Sequence, residues 1–328
     1  MQLPPELLLI VFQLACDDDG TTARVLGAVS QSFYLWSLPF VYRNIAVHDA
    51  PRVRSLTEHL QREPYRRSLV RHTLISEQAT SLDCSAFEHT LKVLFGLIAP
   101  TVRSLTLLVK SRDESVGGVF QTLFDSSFPC LKSLTLCGDH PIPTALKMPL
   151  LQRFHTAGLT RRNAASCFAP LSQSCPDLTH IRVSMSSEHN LTFAISAAFD
   201  LPGAPTNLER MCLDPIPAPL GANDEESSRA HIPFPSLPRG LVSLMVKPSV
   251  PPMAYFVGST SMAYGQYMKQ LEELVPLCPS GKFQLLPAFK RSDWEIETYD
   301  VTQAKQDWID VIRGGMGAWN NYVVECSL

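Results

Sequence analysis

The residues able to do chemistry in this sequence are numerous but dispersed. Nine cysteines stand at positions 16, 84, 130, 137, 167, 175, 212, 278 and 326. No two form a Cys-x-x-Cys pair and the count is odd. With no secretory pattern ahead of them, they are expected to be reduced thiols of an intracellular protein, most of them small buried hydrophobes. The nine histidines include no His-x-x-x-His pair, and none falls at zinc spacing with a cysteine pair. Asp17-Asp18-Asp19-Gly20 lacks the alternating oxygen ligands and the distant Glu of a calcium loop. Gly314-Gly315-Met316-Gly317 follows a helical pattern and is not succeeded by Lys and Ser or Thr, so it is a helix stop rather than a phosphate loop. There is no Gly-x-Ser-x-Gly elbow, and no two carboxylates pair recognisably for acid–base work. The expectation is a non-enzyme with no cofactor and no metal.

Chemistry of recognition remains, and two sets of residues could carry it. The first is the run Leu7 to Ala15. Pro4 and Pro5 open a helix and Glu6 sits in its first turn, where a missing N–H and a negative charge are both tolerated. Leu7, Ile10, Val11 and Leu14 share one face, while Leu8, Leu9, Phe12 and Ala15 fill much of the other. A helix apolar all round must be covered all round. One domain can cover one side, so the other invites a second protein, and Leu8 and Leu9 are expected on the partner side. Asp17 to Gly20 then forms a loop. Thr21 or Thr22 caps a helix from Ala23 to about Ser30, and Ser32 caps another carrying Phe33 to Trp36 that ends before Pro39. Val41 to Val47 reads as a strand.

This stretch resembles the F-box, the adaptor-binding module of SCF-type cullin–RING ubiquitin ligases. The resemblance rests on Leu3-Pro4-x-Glu6-Leu7, Ile10-x-Phe12, Ala28-Val29-Ser30 and Leu38-Pro39-x-Val41-Tyr42. The form with an acidic loop after the first helix is similar to F-box-like proteins common in mushroom-forming fungi. Where the family has an Arg-Trp pair after Ser30, Gln31-Ser32-Phe33 stands here. The resemblance implies an adaptor-binding set of Leu3, Pro4, Leu7, Leu8, Leu9, Ile10, Phe12 and Val29. It implies as partners the ligase's adaptor subunit, a cullin through it, and a protein target that the sequence does not identify.

The elements behind this module follow a repeat. The phrase apolar-x-x-apolar-x-apolar begins at Val102, Leu131, Leu178, Leu208 and Leu241, with weaker copies at Val70 and Leu151. Pro100, Pro129, Pro149 and Pro176 stand two residues before it, and Pro205 and Pro238 three before. Each phrase makes a short strand with alternate residues inward, each intervening segment crosses back outside, and proline stops the return. Ser85-x-x-Glu88 is a capping box for one return, with Leu91, Leu94, Leu97 and Ile98 on its inner stripe. The array resembles leucine-rich repeats. The Asn or Cys of regular repeats is replaced by Lys110, Asp139 or Ser186, which implies an irregular array. Arg52, Arg54, Arg62, Arg66, Arg67 and Arg71 form a basic run read as the solvated face of a helix carrying Val53, Leu56 and Leu60.

The expected fold is α/β. A three-helix F-box-like module spans 1–47. An irregular leucine-rich-like solenoid with parallel strands spans 48–260, including a mobile proline-rich loop at 214–240. A helical cap spans 261–328, in which Tyr264 to Val275 and Val301 to Ile312 form two stripes and Trp294, Trp308 and Trp319 pack over the last repeat. The second set of contact residues lies on the strands. The outward positions Arg103, Thr106, Lys132, Thr135, Arg182 and Arg210 are expected to be exposed. The basic ones, Arg103, Lys132, Arg182 and Arg210, suit an acidic or phosphorylated target, which arginine grips through two parallel hydrogen bonds. The chain's own net charge of −3 argues against nucleic acid as partner. No apolar run approaches the roughly 18 residues of a membrane span. The function these features suggest is a non-catalytic, substrate-recruiting ligase subunit of the cytoplasm or nucleus. The alternative is a repeat scaffold acting outside any ligase.

Overall fold

The computed structural model describes residues 4–78, 83–110, 116–138, 140, 146–158, 168–186, 189–201, 237–252, 259–279, 281–291 and 296–319. Three helices come first: Pro5–Ala15, Thr21–Gly27 and Gln31–Arg43. Eight strands follow in one all-parallel sheet, in the order of the sequence. They are β1 (Asn44–His48), β2 (His72–Glu77), β3 (Ser104–Val109), β4 (Ser133–Cys137), β5 (Arg153–Ala157), β6 (His180–Ser186), β7 (Ser243–Pro248) and β8 (Phe283–Leu285). The phrases at Val70, Val102, Leu131, Leu151, Leu178 and Leu241 therefore each deliver a strand. The copy at Leu208, with Arg210, lies outside the described residues, as does most of the 214–240 loop.

Register explains the phrase. Thr73, Leu105, Leu134, Phe154, Ile181, Leu244 and Phe283 are direct partners along one ladder row. Their side chains meet the returning segments in one apolar core with Leu60, Phe95, Phe120, Leu171, Leu191 and Leu271. The helices Ala50–Arg62, Cys84–Ile98, Val116–Asp125, Phe168–Ser174, His189–Ala198 and Ser259–Leu277 supply that cover.

Local ends differ from expectation in instructive ways. The second helix is held by Asp18, whose carboxylate accepts from the Gly20 and Thr22 amides at 2.9 Å each, rather than by a threonine cap. A carboxylate is the stronger acceptor at a positive helix end. Gly20 has φ +82°, and a Cβ there would lie 3.0 Å from the Asn44 carbonyl, so the turn requires glycine. Ser30, not Ser32, caps the third helix by accepting from the Phe33 amide at 3.2 Å. That helix runs through Pro39 to Arg43. The carbonyl that proline leaves without a donor belongs to exposed Leu35, where water can serve it. Pro276 likewise sits inside its helix rather than ending it. Asp83 replaces the Ser85 capping box by accepting from Ala86, and Glu88 instead accepts from Thr122 at 3.2 Å.

The largest departure is at the C-terminus. Ser259–Leu277 and β8 extend the strand-and-return series by one unit and do not form a separate cap. Residues 289–291 and 296–319 then lie on the sheet's other face. Phe289, Tyr299, Ala304, Trp308 and Ile312 pack there on Leu74, Leu108, Cys137 and Ala157. Trp308 thus lies over early strands, and Trp319 packs against Met245. Trp319 therefore reaches the strand of the last phrase whereas Trp308 does not, and Trp294 lies outside the described residues. The reason is burial: Leu74, Leu108 and Ala157 make this face apolar too, so it needs a cover. Gly314, with φ +83°, ends the covering helix Val301–Ile312 as expected. Among the described residues, no helix is long and apolar enough to cross a membrane.

Leu134 and Ile181 are fully buried in the ladder row. Truncating either to alanine should cost about 2–5 kcal/mol, measured by chemical denaturation, the usual loss of transfer energy plus cavity. A cost below about 1 kcal/mol at both would contradict the packing described.

Candidate functional site

Two surfaces and one buried network contain the residues that could act. The first surface is the N-terminal helix. Phe12 is 1 % exposed and packs against Phe33 in a core with Cys16, Ala23 and Phe40. It is therefore a core residue of the module and not an adaptor contact, because its ring faces the neighbouring helices. Leu8 is half-buried. The side left open is the other one: Leu7, Ile10, Val11 and Leu14 are 48, 53, 52 and 73 % exposed. Leu9 is also exposed, as are Pro4 and Val29, whereas Leu3 lies outside the described residues. The neighbouring helices add exposed Val25 and Leu35. These large apolar side chains stay open after the three helices have filled their own core.

The second surface is a row of cations at the leading edge of the sheet. The Arg71 amide donates to the Arg43 carbonyl at 3.0 Å, Arg103 to Arg71 at 2.7 Å, and Lys132 to Arg103 at 2.8 Å. These residues therefore stand side by side on four successive chain crossings, about 4.8 Å apart. Gln152, Thr179 and Val242 continue the same ladder without charge. Arg103 and Lys132 are exposed, and Arg43 and Arg71 half-exposed. Among the described residues none of the four enters a salt bridge. Arg71 donates to the carbonyls of Ser68 and Val70. Burial, then the charges of Arg103 and Arg43, lower its pKa from the ordinary arginine value.

Sequence reasoning found half of this row. The basic run puts Arg71 on a helix face, but that helix ends at Arg62 and Arg71 precedes a strand. The pattern Val41 to Val47 puts Arg43 inside a strand, and it instead ends a helix. Aligning the weak Val70 copy with the stronger phrases would have set Arg71 beside Arg103.

Arg182 is not part of any open surface. It is 6 % exposed beneath the C-terminal crossing, so it cannot serve as a target contact. Its Nε donates to Ser184 Oγ at 3.1 Å and a guanidinium N–H donates to the Ala318 carbonyl. Thr106 and Thr135 are buried on the same face. Tyr299 donates to Asp307 at 3.1 Å, and burial pushes the Asp307 carboxyl up from its ordinary value although Arg182 opposes the rise. His155 Nε2 lies 3.0 Å from Ser184 Oγ, but both residues are fully buried, with Tyr299 and Trp319 against the imidazole. This serine–histidine contact is a packing device sealed from solvent.

None of the six described cysteines is in a disulfide. Among the described residues no group of His, Cys, Asp or Glu is arranged to hold a metal ion. Comparison of the chain with protein families, with curated proteins and with solved structures gave no match.

His72, in the strand position next to Arg71, reports on the cationic row. Burial, then Arg43, Arg103 and Arg71, lower its pKa from 6.5 to about 4. The unfolded chain binds a proton there below about pH 6.5, whereas the folded chain does so only near 4. Stability should therefore fall as pH drops through that window, by on the order of 3 kcal/mol from this residue. His155, also held low by burial and then by Arg182, acts in the same direction. Denaturation at pH 7 and pH 4.5 should show the fall, and His72→Gln should remove part of it. An unchanged difference in the variant would show that His72 is freely protonated in the fold.

Proposed function

We propose that this chain is a substrate-recruiting subunit of an SCF-type cullin–RING ubiquitin ligase, built as an F-box-like module on an irregular leucine-rich-like solenoid. The observation that carries the reading is the open apolar row Leu7, Ile10, Val11 and Leu14 on a three-helix module whose own core is already filled by Phe12, Cys16, Ala23 and Phe40. An apolar face left over after a module has packed is what an obligate docking partner would cover. The resemblance of Leu3-Pro4-x-Glu6-Leu7 and Leu38-Pro39-x-Val41-Tyr42 to the F-box names that partner as the ligase adaptor. The sheet behind it supports the second half of the reading, since parallel strands stacked in sequence order are how repeat arrays present a surface.

The mechanism in this reading is approximation. The module holds the chain on the ligase, another surface holds the target, and the target's lysines meet the ubiquitin-loaded conjugating enzyme at high effective concentration. No residue of this chain enters the chemical step.

The exposed row gives the most direct test, since Leu8 is half-buried. Ile10→Asp and Leu14→Asp should each weaken capture of purified adaptor at least tenfold. Their unfolding free energies should stay within about 0.5 kcal/mol of the parent, because both side chains already face water. Full adaptor binding by both variants, or by neither variant nor parent, would exclude adaptor docking through this face.

A further inference from the structure

The cationic row has a chemistry of its own. Arg43, Arg71, Arg103 and Lys132 occupy equivalent positions at the start of adjacent strands, because the ladder that sets the register also sets their alignment. Like charges held side by side repel one another, and among the described residues no carboxylate forms a salt bridge with them, although a chain of net charge −3 has acids enough to do so. The five described salt bridges involve Arg52, Arg62, Lys247, Lys269 and Lys305 instead. The two most exposed members, Arg103 and Lys132, lie clear of the C-terminal crossing that buries Arg182. Arg153 begins the next strand, but its guanidinium lies over the Trp319 ring and donates to Met316 Sδ. The open row thus stops at four.

We propose that Arg43, Arg71, Arg103 and Lys132 form a docking surface for an extended, carboxylate-rich peptide segment of a partner protein. The length fits. Three steps of about 4.8 Å span roughly 14 Å, the reach of four to five extended residues. Guanidinium groups grip carboxylates through paired hydrogen bonds, and three of the four cations are arginines. A nucleic-acid strand is the weaker match. Phosphate-binding surfaces gather more contacts than four in a single file. The ladder positions that extend the file, Gln152, Thr179 and Val242, carry neither charge nor an aromatic ring for stacking. Under the ligase reading this peptide would belong to the recruited target. The surface itself is argued from register and charge alone, and its test needs no adaptor.

The experiment uses the full chain alone, with fluorescein-labelled hexaglutamate, hexaglutamine and an oligothymidine as probes, read by fluorescence anisotropy at low and moderate salt. Hexaglutamate should bind at least tenfold more tightly than hexaglutamine and weaken as salt rises. Arg103→Glu combined with Lys132→Glu, both at exposed positions, should abolish the difference, and Arg71→Gln should reduce it. Arg54→Glu, an exposed arginine off the row, should leave it intact. The proposal is overturned if hexaglutamate shows no preference over hexaglutamine. It is equally overturned if the double variant binds as the parent does, or if oligothymidine binds more tightly than hexaglutamate through the same residues. Because adaptor capture is absent from the assay, a failure here leaves the ligase reading standing, and the reverse holds as well.

Discussion

A parallel sheet with apolar side chains on both faces has no side it can leave to water, and everything else in this structure answers to that constraint. On one face the strand row through Leu105, Leu134 and Ile181 is covered by the returning helices. On the other, Leu74, Leu108, Cys137 and Ala157 are covered by Phe289, Tyr299, Ala304, Trp308 and Ile312 of the C-terminal crossing. The strands are short, and each finds its main-chain partners only in its neighbours. Lateral hydrogen bonding fixes the order of the strands, and the two covers fix their depth. Among the described residues, the outer side of the N-terminal helices and the leading edge of the strands are left open by both covers.

Much of this was legible from residue spacing because the phrase apolar-x-x-apolar-x-apolar states which side chain enters the core at each crossing. Leu105, Leu134, Ile181 and Leu244 are buried where the phrase puts them. The second cover was not legible. The stripe Ala304, Trp308 and Ile312 announces a helix with one buried side but is silent on what it buries against. The sheet positions beneath it include Thr106, Thr135 and Arg182, residue types that suit water equally well. Their burial, with Arg182 donating to the Ala318 carbonyl, resolves them as interior. For the same reason the basic surface was half read. Arg103 and Lys132 stand in strong copies of the phrase, whereas Arg71 follows the weak copy at Val70 and Arg43 precedes the first strand with no copy at all.

The three N-terminal helices were legible in their existence and blurred in their polarity. A helix apolar on every side gives no pattern by which to choose between faces, and the choice fell to Phe12. The largest ring on the helix took the interior, and the branched residues at Leu7, Ile10, Val11 and Leu14 were left outside. Helix ends were blurred for a different reason. Pro39 and Pro276 orphan the carbonyls of exposed Leu35 and Glu272, where water can serve them, and exposure is a tertiary property.

The C-terminal crossing also returns to the beginning of the chain. Lys305 pairs with Asp19 at 2.7 Å, and Arg313 donates to the Asp17 carbonyl at 3.2 Å. Asn44, at the head of β1, donates to the Asp18 carbonyl at 2.8 Å and so ties the same loop to the sheet. A stack whose units touch only their neighbours ordinarily frays from its ends, one unit at a time. Here the first strand's loop is clasped by a helix nearly 300 positions later. That helix lies across the early strands, and the residues after it reach the later ones. Loss of either end therefore exposes the middle. The two ends of the sheet are tied to each other, and the clasp can form only after Arg313 has been made.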